Sequence, residues 1–294
     1  MNTISHISPA DLADRLQLRR QGRDLRGDCP ACGYAGTFSV TTKEGRAVWW
    51  CASCQDQRAV TAAVRAAMGQ DWRPPPQAKA RTPEGADTRS ARAVEPWERA
   101  QPFLGSPAEA YLAGRGLPGI DSPALRYTPA ARHPNVSGTY PALLALVVAT
   151  ATGEPVAVHR TYLRPDGSGK AGLDPAKASK GPIRGGAIML DTPEAGRPLV
   201  IGEGIETSLS AGVLLGVPAW AAIAAGNLAN IIPPRDVAEM LIAADPDEPG
   251  QRAAEAAAKR WKARGTPVRI ITPPTPGQDF NDLLTARIAA QGRQ

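Results

Sequence analysis

The last third of the chain predicts an α/β fold built on a parallel sheet flanked by helices, and three observations carry that reading. Continuously apolar runs (RPLVIGE, VPAWAAIA, MLIAAD, TPVRIIT) alternate with helical stretches (IETSLSAGVLL, PGQRAAEAAAKRWKAR, DFNDLLTARIAA). Strands apolar on both faces belong to parallel sheets covered by helices on both sides. Acidic residues gather where those strands end, which is where such sheets place their sites. Ahead of this unit the sequence predicts a mixed α+β basic subdomain, and ahead of that a small cysteine-bearing unit.

Residues 1–71 are expected to hold an opening helix over Pro9–Arg20, two hairpins around the cysteines and a closing helix over Val60–Met68. Residues 72–95, rich in Pro, Ala and Arg without apolar periodicity, are expected to be a flexible linker. Residues 96–196 open with a helix near Ala108–Arg115 and continue into two strand-like runs, ALLALVVA and PVAVHRTYL. Between Val158 and Gly186 six basic residues stand against two acids, which predicts a basic, flexible loop. Residues 197–294 carry the alternating sheet. No internal repeat is present.

The 294 residues carry 34 Lys and Arg against 28 Asp and Glu, a net charge of +6. Ten residues of each sign fall in the last hundred, so the excess lies upstream. A basic balance suits a polyanionic partner, and a neutral last unit is free to cluster acids. No run approaches the roughly 18 apolar residues that a bilayer crossing needs, and the N-terminus lacks the apolar core of a secretory signal. The chain is therefore expected in the cytoplasm, with no membrane partner.

Cys29-Pro-Ala-Cys32 and Cys51-Ala-Ser-Cys54 are two C-x2-C pairs separated by 18 residues. In a cytoplasmic chain that spacing reads as a four-cysteine zinc site, a zinc ribbon. Four protein ligands close the tetrahedron, so the zinc is expected to be structural. Between the pairs, FSVTTKEGRAVWWC alternates as a hairpin and presents Lys43, Arg46, Trp49 and Trp50. Basic and aromatic groups on a small sheet suit base stacking and phosphate contact. We take Arg46 and Trp49 as candidate nucleic-acid contacts; either tryptophan alternatively packs the ribbon core.

Three acidic features mark the last unit. One strand ends in Ile201-Gly202-Glu203-Gly204, where the glycines are expected to leave room for a ligand beside Glu203. Another ends in Asp245-Pro246-Asp247-Glu248-Pro249-Gly250, and Gly277-Gln278-Asp279-Phe280-Asn281-Asp282 follows the last strand. Asp245 and Asp247 alternate along the chain and so share one side, and converging carboxylates need a compensating cation. Magnesium fits, because it prefers oxygen ligands and completes its shell with water and phosphate. Each acid also has an ordinary reading: Asp245 caps the following helix, and Asp282 is a first-turn helix acid.

The strand ending in Glu between glycines, followed by D-x-D-x-x-G opening a helix, resembles the Toprim domain of primases, topoisomerases and some nucleases. AADPDEPGQRAA and GQDFNDLL are similar to primase segments, and with the zinc ribbon most of the chain resembles a bacterial, phage or plasmid primase. The resemblance implies a nucleotidyltransferase that makes short RNA primers on single-stranded DNA from nucleoside triphosphates, with Mg2+ or Mn2+ as cofactor. It implies Glu203 as acid or base, Asp245 and Asp247 with Glu203 as metal ligands, and Asp282 or Asp279 as an accessory acid. It also implies phosphate-binding cations among His159, Arg160, Arg164, Lys170, Lys177, Lys180 and Arg184, of which Arg160, Lys177, Lys180 and Arg184 are the candidates.

Cys29 and Cys32 stand where many bacterial replicative primases carry a histidine, which points toward phage-like relatives. No ATPase module is evident: Gly167-Ser168-Gly169-Lys170 lacks the preceding glycine of a phosphate-binding loop and has Ala171 after the lysine. A helicase partner would be a separate chain. Two other readings share these motifs, a zinc-containing Toprim recombination mediator and a Toprim nuclease.

Overall fold

Alternation builds the first sheet. Phe38, Val40, Trp49 and Cys51 face inward, while Ser39 and Trp50 between them face outward, the period of two that a half-buried strand requires. The computed structural model describes residues 8–22, 24–43, 46–54, 56–69 and 84–291, which divide into one unit within Met1–Thr82 and another within Pro83–Gln294.

In the first unit, α1 (Pro9–Arg15) opens with a capping box in which Ser8 and Asp11 each accept the other's backbone N–H. The helix expected to reach Arg20 stops at Arg15. Gln17 adopts a left-handed backbone with φ of 50°, and the chain turns into β1 (Arg19–Gln21). With β2 (Asp24–Gly27), β3 (Phe38–Lys43) and β4 (Arg46–Cys51) it forms an antiparallel sheet in sequence order. α2 (Gln57–Met68) is capped by Asp56. Leu12, Phe38, Val40, Trp49, Val60 and Val64 pack around Cys29, Cys51 and Cys54.

The second unit begins with α3 (Glu84–Glu98). The stretch expected as a linker lies outside the described residues as far as 83, and from Glu84 it is helical. Little apolar surface is needed to fix that helix: Ala93 and Val94 are buried, and Trp97 packs on the sheet. The Arg126 guanidinium lies 3.8 Å from the Trp97 ring and donates to the carbonyls of Trp97 and Glu98, satisfying a helix end.

After β5 (Gln101–Pro102) and α4 (Pro107–Gly114) come β6 (Leu125–Arg132), β7 (Thr139–Ala149), β8 (Pro155–Tyr162), β9 (Lys177–Lys180) and β10 (Gly186–Met189), paired antiparallel. The region expected as a flexible basic loop thus supplies the end of β8, all of β9 and the start of β10. Beyond it, β11 (Leu199–Gly202), α5 (Ile205–Leu215), β12 (Ala219–Ala221), a 3-10 turn (Ala225–Asn230), β13 (Met240–Ala243), α6 (Glu248–Lys262), β14 (Val268–Ile271) and α7 (Phe280–Gln291) follow the expected alternation. β10 pairs antiparallel with both β7 and β12, so the middle and last regions share one ten-stranded sheet.

The parallel part runs β12-β11-β13-β14. Leu199, Ile201, Met240 and Ile242 pack with Ala254, Ala257 and Trp261 of α6. Their neighbours Val200, Leu241 and Ala243 turn to the other face with Leu209 of α5 and Phe280 and Leu284 of α7. From β11 the chain passes through α5 to β12 on one flank and later returns as β13 on the other. That reversal opens a crevice outside the carboxyl ends of β11 and β13, the place where open α/β sheets bind ligands. No helix among the described residues is long and apolar enough to cross a membrane.

Candidate active site and metal centre

The thiols of Cys29, Cys32, Cys51 and Cys54 lie within 4.8 Å of one another, with Cys29 to Cys54 at 4.0 Å and Cys32 to Cys51 at 3.8 Å. Zinc–sulfur bonds of about 2.3 Å in a tetrahedron separate the sulfurs by roughly 3.8 Å, so the donor set fits that ion. Each pair sits on a tight turn. Gly33 donates to the Cys29 carbonyl at 2.8 Å, and the Cys54 N–H and the Thr37 hydroxyl both approach the Cys51 sulfur at 3.4 Å. An N–H aimed at sulfur favours thiolate, the form that binds metal; the Thr37 hydroxyl gives its proton to the Tyr34 carbonyl at 3.0 Å.

At the crevice of the second unit, a cavity of about 380 Å³ is lined by Glu203, Glu206, Asp245, Asp247, Asp279 and Asp282 together with Arg115, Lys170, Lys177 and His159. Glu203 follows β11 and Asp245 follows β13, adjacent parallel strands in which Gly202 pairs with Ala243. The six carboxyl groups exceed the three cations by three charges. Burial, then the negative charges of Asp247 and Asp279, push the Asp245 carboxyl up to about 6. Hard oxygen donors with an uncompensated charge fit a divalent cation such as magnesium. The carboxylates are nonetheless spread more widely than the thiols: among the described residues only the cysteines are gathered to within 4.8 Å.

The turn at Glu203 is tied down locally. The Ser208 hydroxyl donates to the Gly204 carbonyl at 2.7 Å and accepts the Gly202 N–H at 3.1 Å. A Cβ on Gly202 would lie 2.9 Å from that hydroxyl oxygen. The space expected for a ligand at Gly202 is therefore taken by Ser208, and only Gly204 faces the cavity. Ile223, also in the cavity wall, has φ of 75°, a costly conformation for a β-branched residue. Its N–H donates to the Glu203 carbonyl at 2.8 Å, so this strain is held against the acid's own backbone.

Two acids have additional duties. Asp247, not Asp245, caps α6, accepting the Gly250 N–H at 2.7 Å. Asp279 and Asp282 each accept the other's backbone N–H at the start of α7, at 2.8 and 3.2 Å. Asn281 between them donates to the Arg115 carbonyl at 2.7 Å and to the Ser210 hydroxyl at 2.9 Å, binding α7 to α5 and to the end of α4.

The cationic side matches the expectation only in part. Lys177 lines the cavity, whereas Arg160, Lys180 and Arg184 do not. Arg160 follows cavity-facing His159 on β8 and so points to the opposite face, where it donates to the Arg132 carbonyl at 2.7 Å. Lys180 and Arg184 are exposed. Reasoning from sequence misses Arg115, Glu206 and Tyr111 and does not single out Lys170. Glu206, 6% exposed, takes Lys170 Nζ at 3.1 Å on Oε1 and Lys177 Nζ at 3.1 Å on Oε2, and the Tyr111 hydroxyl also donates to Oε1. Burial alone would raise the Glu206 carboxyl, but the charges of Lys177 and Lys170 outweigh it and hold it well below the usual range. Burial first, then the Lys177 charge, lowers His159 to about 3, so it is neutral, with Nδ1 2.9 Å from the Ser179 hydroxyl.

In the ribbon the two tryptophans face opposite ways. Trp49 is buried, with its indole N–H 3.3 Å from the Thr61 hydroxyl, while Trp50 is 43% exposed. Trp49 shares the inward parity of Cys51. The side chain of Arg46 lies outside the described residues.

Acids at the ends of adjacent parallel strands, in a sheet ordered in this way, define a Toprim-like α/β site. Residues 198–290 match the family model described as Toprim domain, and residues 87–190 match one described as Domain of unknown function (DUF7146). The chain thus carries a Toprim domain at 198–290. Among solved structures it is similar to the Aquifex aeolicus primase (zinc binding and RNA polymerase domains), with a TM-score of 0.45 and 13% identity over 98% of this chain and 82% of that one. It is also similar to the primase fragment of the bacteriophage T7 primase-helicase protein, with a TM-score of 0.41 and 14% identity over 91% and 96%. A DNA primase domain from Pseudomonas aeruginosa gives a TM-score of 0.42 and 17% identity over 71% and 77%.

Proposed function

We propose that the chain is a DNA primase that joins ribonucleotides into short primers on single-stranded DNA. The observation that carries this reading is the cavity in which Glu203, Asp245 and Asp247 meet Arg115, Lys170 and Lys177 at the switch point of a Toprim sheet. Glu203, Asp245 and Asp247 would hold Mg2+ or Mn2+, which when bound neutralises a triphosphate and activates the attacking hydroxyl. Lys170, Lys177 and Arg115 line the cavity and would meet the triphosphate oxygens, and the Nε of Arg115 is buried without a hydrogen-bond partner. Neutral His159 adds no charge and keeps β8 close to β9 through Ser179. A nuclease would share the acids yet has less need for three cations.

The ribbon, holding zinc through its four cysteines, would read template. Trp50 is in register with Ser39, Ser39 with Arg26, and Arg26 with Arg19, so one outward row carries an indole and two guanidinium groups. Stacking of a base on an aromatic ring contributes about 1–3 kcal/mol. Trp50→Ala is therefore expected to weaken binding of a fluorescent single strand roughly 5- to 100-fold, read by anisotropy. Trp49→Ala should instead lower the stability of the ribbon. The reverse pattern would place the base on the other ring.

The direct test supplies the purified chain with single-stranded DNA, magnesium and labelled ribonucleotides. Short RNA whose sequence complements the template is the expected product. Cleavage of the DNA without synthesis would replace this reading with the nuclease.

A further inference from the structure

We propose that Glu206 is a positioning residue whose buried carboxylate holds the ammonium groups of Lys170 and Lys177 side by side, in the arrangement that grips a polyphosphate anion. That the anion is a nucleoside triphosphate rests on the primase reading; the positioning itself does not.

Glu206 sits in the first turn of α5, a helix otherwise made of apolar and small residues. Burying a carboxylate costs several kcal/mol unless its lone pairs are satisfied by charged partners. Here they are: one oxygen takes Lys170 and Tyr111, the other Lys177. An acid so engaged has little left for a metal ion or a substrate proton. The lysines are in the opposite condition. Each spends one N–H on Glu206 and keeps two, and their side chains remain 37% and 35% exposed in the cavity wall.

The backbone fixes where each lysine starts, with Lys177 opposite Thr161 and Ala171 beside Lys170 donating to the Tyr162 carbonyl at 2.9 Å, but Glu206 is the partner that places the ends of the two long side chains. Lys170 is anchored by an isolated bridge to Leu163, and Lys177 opens β9 only after the turns of residues 171–176. Two ammonium groups brought together repel, and burial disfavours the charge on each. Burial and the charge of Lys177 lower the Lys170 ammonium, and Glu206 opposes that shift. One carboxylate between two ammonium groups leaves a net charge of +1 with fixed geometry. The Lys177 Nζ is placed 3.8 Å from where a Gly204 Cβ would stand, beside the N-terminal turn of α5, whose dipole also favours an anion.

The test turns on a sign. If Glu206 were merely a negative charge near an anion site, its removal would tighten anion binding by Coulomb attraction. Positioning requires the opposite. Binding of inorganic tripolyphosphate to the full chain, measured calorimetrically in magnesium-free buffer, is expected to weaken at least tenfold in Glu206→Gln, with Glu206→Asp falling between. Unchanged or tighter binding by Glu206→Gln overturns the proposal.

Should Glu206→Gln fail to fold, competitive acetylation of the wild-type chain decides. Lys170 and Lys177 should react at least fivefold more slowly than exposed Lys180, and tripolyphosphate should slow both further. Equal rates at all three lysines overturn the proposal. A chain that binds tripolyphosphate in this manner but makes no primers would end the primase reading and leave the positioning intact. Primer synthesis with an unaffected Glu206→Gln would do the reverse.

Discussion

Asp245→Asn is expected to remove nucleotidyl transfer, by a factor on the order of 10²–10³ or more, and to make the metal-free chain more stable. The two effects have one origin. Burial, then the charges of Asp247 and Asp279, raise the Asp245 carboxyl from 3.8 to about 6, with Lys177 opposing. The folded state therefore binds this proton more tightly than the unfolded chain does. Stability from the protonated carboxyl is present below about pH 4 and is lost as the pH rises through about 6. At pH 7.5 the ionised acid is a liability of on the order of 1–2 kcal/mol, after discounting for its partial exposure. Asparagine does not ionise, so the variant should melt a few degrees higher at pH 7.5 and show no advantage near pH 4. Magnesium should raise the melting temperature of the wild type and not of the variant. Scanning fluorimetry with and without magnesium reads all of these outcomes. A variant that melts lower at pH 7.5, or that still synthesises primers, removes Asp245 from the site.

The sign of that effect shows why the acids are legible in the sequence. A parallel sheet writes its strands as contiguous apolar runs, so carboxylates at the run ends stand out against β11 and β13. The two C-x2-C pairs announce themselves for a similar reason, since their spacing has few other uses. What stays hidden depends on which way a side chain faces. Arg160 and His159 are consecutive on β8, and without knowing which face of the sheet meets the cavity no residue count can choose between them. Trp49 and Trp50 pose the same problem, but there the answer is within reach: Cys51 must face its partner thiols, and period-two alternation then sends Trp49 inward and Trp50 outward.

Short strands form the other blind spot. β9 and β10 have four residues each, in a segment rich in glycine and lysine whose pairing comes from β8, β7 and β12 and not from local preference. With those two strands hidden, the basic region reads as a loop, and the joining of the middle and last regions into one sheet leaves no trace. Glu206 does leave a signal. It is the lone ionisable group in the helix IETSLSAGVLL, and an acid inside an apolar helix is either mispredicted as helical or neutralised by partners from elsewhere in the chain.

The second large effect belongs to the ribbon. Cys32→Ser is expected to abolish metal binding by the first unit and to unfold it, while the melting transition of the second unit persists. Among its described residues the first unit has few fully buried apolar side chains, among them Leu12, Phe38, Val40, Val60 and Val64, and units of this size rarely hold together by core burial alone. A structural zinc site contributes about 10 kcal/mol or more of apparent binding free energy, which exceeds what such a core can supply. Three of the four sulfurs sit within that core, since Cys29, Cys51 and Cys54 are buried, while half-buried Cys32 packs on its edge. Losing one ligand therefore removes the ion and leaves three polar thiols in an apolar interior. Calorimetry of the wild type should show two transitions, of which chelation or Cys32→Ser eliminates one, with metal content falling in parallel. Thiolates are the binding form, so the same transition should weaken as the pH is lowered. Full metal content with both transitions intact in the variant would mean that the thiols, though close enough, do not share an ion, and the template-reading role of Trp50 would lose its support with them.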